Sequence, residues 1–248
     1  MKLECTASAL NIRTEPHGTV IGEMRSGDLF DVATANSYQE WVSGTVASGV
    51  SAGKQGSVRR KWLVQAFDDV PALSRVDRRR AARIVADRTR EFDAITYRLG
   101  EKAKTWRDLA RNGYVDCSGW IYLVAKDLIG AYATQVAAPA LFTYSDEQIC
   151  NVGRKTGAII SGRYLRDEHF VPGVLVGIDF AEYSWDRNRP LDIDHIIVVG
   201  SDADGPFVSQ SSSSGAGVNR VPLDKWLTSQ RSLIDAGRVH LVDLLATP

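Results

Sequence analysis

Between Gly119 and Ile129 the chain is strongly apolar, with Trp120, Ile121, Leu123, Val124 and Leu128 falling at helical spacing. Such a run has to be covered by the rest of the protein, so the spacing predicts a buried helix that begins at or just after Cys117. Three strands are expected further on, over 173–180, 195–199 and 207–210, with a turn at 200–205 between the last two. Helix before strands separated by short turns argues for a helix packed on an antiparallel sheet, an α+β domain of about 170 residues.

The first third of the chain follows another rule. From Leu3 to Gln65, short apolar runs are punctuated by Gly, Ser and Asn: Leu10-Asn11-Ile12, Thr19 to Gly22, Leu29 to Val32, Glu40 to Val46, and Gly56-Ser57-Val58. Closely spaced strands with glycine-containing turns predict a small all-β barrel or sandwich, with Trp41 and Trp62 as core aromatics. Residues 66–74 read as a linker, and Ser74 is placed to cap a helix that runs to about Phe92. The Arg78-Arg79-Arg80 cluster on that helix reads as a solvated face, diluted by Asp77 and Asp87.

Composition narrows the function classes. In 248 residues, 30 basic side chains balance 30 acidic ones, which removes any general electrostatic pull toward nucleic acid or anionic lipid. No apolar run is long enough to predict a membrane-spanning helix, and Met1 to Cys5 lacks the basic start and apolar stretch of a secretory signal. Cys5, Cys117 and Cys150 are too few and too scattered for a disulfide framework, and no paired Cys/His spacing predicts a structural zinc. Neither metal nor cofactor is expected.

Chemistry concentrates at Cys117. In Asp116-Cys117-Ser118-Gly119-Trp120 the thiol stands where a loop becomes a helix, so unpaired backbone N–H groups and the positive end of the helix dipole are expected to favour thiolate. The small Ser118 and Gly119 are expected to leave room for substrate. A buried core cysteine is the competing structural reading. Of the four histidines, His195 opens a β-branched strand after Asp192-Ile193-Asp194 and is the best base; His17, His169 and His240 read as surface or packing residues. The group that orients the base is expected from the next strand, from Gln210 or Ser209.

These segments, in this order over residues 92–230, resemble the NlpC-type cell-wall cysteine peptidases of the papain-like superfamily. Tyr97-Arg98-Leu99-Gly100 is similar to the family's Tyr-x-x-Gly, and Asp116-Cys117-Ser118-Gly119 to its nucleophile motif. Val171 to Leu175 resembles its strand-opening Pro-Gly-Asp-Leu, with Val174 in place of the usual Asp. Asp194 to Gly200 is similar to its base strand, and Phe207 to Gly215 to its final Phe-Ile-His-Ala-Ser-Ser-Ser-Gly. The departures are Gln210 where many relatives carry His, and an insertion-like segment over 181–193 placed to wall a groove. Ala9 to Pro16, Gly27-Asp28, Trp41-Val42, Gln55 to Val58 and Trp62-Leu63 resemble a bacterial SH3-like domain.

The resemblance implies an SH3-like barrel over 1–66, a linker and helix over 67–92, and a papain-like cysteine peptidase domain over 93–248. It implies Cys117 as nucleophile, His195 as base and Gln210 as orienting group, with Tyr97, Asp116, Ser118 and Trp185 lining the substrate site. The implied substrate is a peptidoglycan stem peptide, cut between D-glutamate and a diamino acid through a thioester. Other readings left open are a glycan-peptide amidase, an acyltransferase, a toxin, and a non-catalytic wall-binding protein. A wall substrate without an export signal implies a dedicated secretion route, phage delivery or recycling of wall fragments in the cytoplasm.

Overall fold

The structure is a computed structural model and describes residues 1–33, 36–183 and 188–246. Residues 2–65 form seven short strands: β1 (Lys2–Cys5), β2 (Leu10–Arg13), β3 (Val20–Met24), β4 (Leu29–Val32), β5 (Trp41–Val46), β6 (Gln55–Arg59) and β7 (Leu63–Gln65). All pair antiparallel, in the order β3-β2-β6-β5-β4-β1-β7. Among the described residues no pairing joins β3 to β7, so the sheet keeps two edges and the expected closed barrel is not found. Alternation along the strands turns Leu3, Ile12, Met24, Phe30, Val42, Val58 and Leu63 inward, where they make the core of this part.

The two tryptophans depart from expectation. Trp62 is 37% exposed, with the Lys61 ammonium over its ring, and Trp41 is half-buried beneath the Arg59 guanidinium and beside His17. Smaller apolar side chains already fill the space between these strands, and the indoles stay at its margin with cations on their faces.

The remaining chain is α+β. Its elements are α1 (Arg79–Glu91), β8 (Thr96–Tyr97), α2 (Trp106–Asn112), β9 (Tyr114–Val115), α3 (Cys117–Ala131), α4 (Ser145–Thr156), β10 (Ile160–Ser161), β11 (Val174–Ile178), β12 (His195–Asp202), β13 (Gly205–Ser212), β14 (Gly217–Pro222), α5 (Leu223–Asp235) and β15 (Val239–Asp243). Six strands form an antiparallel sheet in the order β10-β15-β11-β12-β13-β14. The three expected strands are β11, β12 and β13. Helices α1, α3 and α4 pack on one face, against Ile196, Val198 and Phe207, and α5 packs on the other, against Ile197, Val199 and Val208. With both faces covered, β11 and β12 read as unbroken apolar runs rather than alternating ones.

The helix expected from Ser74 begins later, at Arg79. Asp243 takes the Ser74 N–H at 2.8 Å and the Arg78 guanidinium at 2.7 Å, and Arg78 also donates to the carbonyls of Pro172 and Ser74. These bonds tie residues 74–78 to the sheet as a strap, and the Asp77 carboxylate, not the Ser74 hydroxyl, accepts the Arg79 N–H. Among the described residues no helix is long and apolar enough to cross a membrane.

Candidate active site

Helix α3 starts at Cys117 because Asp116 caps it. The Asp116 carboxylate accepts the Gly119 N–H at 2.6 Å, and the Ser118 hydroxyl and Lys102 ammonium donate to the same group. Ser118 is buried and also touches Lys102. Gly119 leaves room for protein rather than for substrate: a Cβ there would sit 2.7 Å from Val115 and 3.0 Å from the Glu101 carbonyl. The parallel pair β8–β9 sets Tyr97 opposite Val115, two residues before the cysteine.

Cys117 is 6% exposed, and its sulfur lies 3.9 Å from the Asp194 carbonyl, to which the thiol donates. Burial and the negative charge of Asp116 push the thiol up to about 11, against the pull of the Ile196 and Ser118 N–H groups and of Lys102. The helix N-terminus therefore does not leave a thiolate at rest, contrary to the sequence expectation, because desolvation outweighs it. Tyr97 is pushed up to about 12 by burial, with Cys117 and Asp116 adding to the shift, which places its phenol in the same electrostatic neighbourhood.

His195 opens β12 opposite Ile178, half-buried, with the Phe180 ring 6.0 Å from its own. Its Nε2 lies 2.7 Å from the Gln210 Oε1. Burial pulls the imidazole down, and the bond to Gln210 opposes that shift. Ser209 turns the other way: its hydroxyl meets Thr89 of α1 at 2.7 Å and accepts from the Trp120 indole at 3.1 Å. Successive residues of β13 face opposite sides of the sheet, and Gln210 takes the side that His195 occupies.

The structure therefore brings Cys117, Asp116, Ser118 and Tyr97 to one helix end, and joins His195 to Gln210 beside it. Trp185 lies outside the described residues. The other histidines sit elsewhere: His169 is buried and its Nδ1 accepts from the Arg166 N–H, while His240 is buried on β15 at 2.8 Å from the Ser161 hydroxyl. Sequence reasoning missed Asn219, whose Oδ1 accepts from the Gln210 Nε2 at 3.1 Å. The signal was present, since an asparagine inside the strand-like run Gly217 to Val221 is out of place by propensity. It missed Asp146 too, a buried carboxylate that accepts from the N–H groups of Leu191 and Ile193 at 3.0 and 3.1 Å, just ahead of His195. Among the described residues no group of three His, Cys, Asp or Glu side chains is arranged to hold a metal ion.

No family profile matches the chain, and no curated protein matches it. Among solved structures it is similar to NlpC2 from Trichomonas vaginalis, at 14% identity and a TM-score of 0.34, over 90% of this chain and 68% of that one. It is similar also to an NlpC/P60 family protein from Bacillus cereus ATCC 10987, at 12% identity and a TM-score of 0.37, over 99% of this chain and 63% of that one. The chain thus spans about two thirds of the length of each.

Proposed function

We propose that this protein is a cysteine hydrolase that cleaves an amide in the stem peptide of peptidoglycan, between D-glutamate and a diamino acid. Cys117 is the nucleophile, His195 the base and Gln210 its orienting group; Tyr97, Asp116 and Ser118 line the substrate site. One observation carries the reading. The sulfur at the start of α3 lies against the backbone on both sides of His195, at the Asp194 carbonyl and the Ile196 N–H, while the Nε2 of that imidazole is taken by Gln210. A thiol, a base and a group that holds the base are the parts that acyl transfer needs.

Both groups start neutral, because burial disfavours the thiolate and the imidazolium alike. As the sulfur attacks the carbonyl carbon, its proton passes to His195 Nδ1 and the Cys117 N–H at the start of α3 receives the oxyanion, the Gly119 N–H being held by Asp116. The C–N bond then breaks as His195 returns that proton to the leaving amine, which leaves a thioester on Cys117. Water attacks the thioester, gives a proton to His195, and releases the new carboxyl group and the thiol. In this reading residues 1–66 are an SH3-like unit that meets the wall.

Digestion of purified peptidoglycan with mass readout tests the assignment. The expected products are fragments ending at D-glutamate, absent with Cys117→Ala. Release of whole peptides from the glycan would replace the endopeptidase by an amidase, and an inert wild-type protein would remove the enzyme reading.

A further inference from the structure

Gln210 orients His195, but an amide has two ends. If Gln210 were turned over, its NH2 group would face Nε2 and favour the opposite tautomer, with the proton on Nδ1, where it cannot accept one from the thiol. The direction of the amide is set by neighbours. Gln210 and Asn219 stand opposite one another on β13 and β14, both half-buried. The Gln210 Nε2 is 3.1 Å from Asn219 Oδ1, and Asn219 Nδ2 donates to the Gly217 carbonyl at 2.7 Å and to the Ser212 hydroxyl at 3.3 Å. A hydroxyl can serve as donor or acceptor, so Ser212 does not discriminate. A backbone carbonyl only accepts.

The Gly217 carbonyl is itself held in place. Gly217 has φ +136°, a Cβ there would fall 1.9 Å from the Ile95 carbonyl, and the next residue, Val218, donates its N–H to that same oxygen at 2.9 Å. The β13–β14 turn is also shaped around the asparagine, since a Cβ on Gly215 would meet Asn219 Nδ2 at 2.1 Å.

We propose that Asn219 is a positioning residue that sets the tautomer of His195, through a one-way hydrogen-bond relay anchored on the Gly217 carbonyl. The carbonyl takes Asn219 Nδ2, which turns Oδ1 toward Gln210. Oδ1 takes the Gln210 Nε2, which turns Oε1 toward His195. Oε1 takes the Nε2 proton and leaves Nδ1 with its lone pair for the cysteine thiol. The catalytic part of this inference rests on the hydrolase reading above, whereas the tautomer itself does not.

The test is nitrogen NMR of the His195 imidazole in the full-length protein near neutral pH, together with kcat and KM on wall peptide. It uses four proteins: wild type, Asn219→Ala, Gln210→Glu, and the double variant. A carboxylate at 210 presents an acceptor whichever way it turns, so it needs no orienting partner. Wild type is expected to carry its proton on Nε2. Asn219→Ala is expected to give a tautomer mixture and a kcat lower by about tenfold with little change in KM, the size of one lost orienting hydrogen bond. In the Gln210→Glu background the same alanine is expected to leave the tautomer unchanged. An unaltered tautomer in Asn219→Ala, or equal damage in both backgrounds, overturns the relay, the latter because it marks a purely structural asparagine. The expected NMR pattern in a protein that cuts no wall would strike at the hydrolase reading and leave the relay standing.

Discussion

Cys117 shows how a single side chain can be decided by two opposed fields. The N-terminus of α3 and the Ile196 N–H favour its thiolate; burial and the Asp116 carboxylate oppose it and prevail, raising the thiol to about 11. At neutral pH the thiolate is therefore a trace on the order of one molecule in ten thousand. Alkylation of Cys117 by iodoacetamide, followed by peptide mapping, is expected to speed up about tenfold for each pH unit from neutrality into the alkaline range. A rate already flat near pH 7 would mean a preformed thiolate–imidazolium pair. His195 has the opposite sign: burial lowers it below its ordinary 6.5, so the base-competent neutral ring persists under mildly acidic conditions. The acid limb of kcat/KM is expected below that value. Asp116 works on the same residue from the backbone side. Asp116→Ala removes the helix cap and the partner of Lys102, and should cost about 1–2 kcal/mol in chemical denaturation.

At the scale of elements, α4 matters as much as α3. Its second residue, Asp146, reaches across to the Leu191 and Ile193 N–H groups, and Ser145 donates to the Ile193 carbonyl, so the helix start is bound to the segment that delivers His195. Burial raises the Asp146 carboxyl to about 6, although these N–H groups, Cys150 and Arg189 all pull it down. The folded value lies above the usual 3.8, so the stability this group contributes is full below 3.8 and is lost as pH rises through about 6. Asp146→Asn keeps an acceptor for the two N–H groups without the buried charge. It is expected to be at least as stable as wild type at neutral pH and to lose that advantage near pH 4. Asp146→Ala leaves both N–H groups without acceptors and should cost about 2–4 kcal/mol at either pH, by urea titration. Sequence periodicity gave no warning of this, because α4 lies some forty-five residues from the loop it holds.

Over the whole molecule, the N-terminal sheet is joined to the α+β part by polar contacts, some of them buried. Arg60, 2% exposed, donates to the carbonyls of Ser37 and Leu63 and lies within the electrostatic reach of Asp146 and Cys150. Lys61 pairs with Asp192 at 3.0 Å, Tyr164 donates to Glu4 at 2.7 Å, and Gln65 exchanges bonds with Gly157 and Ile159. Removing either part would strand charges on the other. Tryptophan fluorescence and far-ultraviolet circular dichroism are expected to report one coincident urea transition; two separated transitions would show that the parts unfold independently. Sequence by itself determined what neighbours along the chain can encode: the buried helix starting at Cys117, the strands after it, and His195 at a strand end. These follow from apolar period and capping, which act within a few residues. Only the tertiary structure turned Gln210 toward His195 and Ser209 toward Thr89, brought in Asn219 and Asp146, and left the N-terminal sheet, among the described residues, with open edges. Those outcomes depend on strand register and on which face each side chain takes, and register is a relation between segments that are distant in sequence.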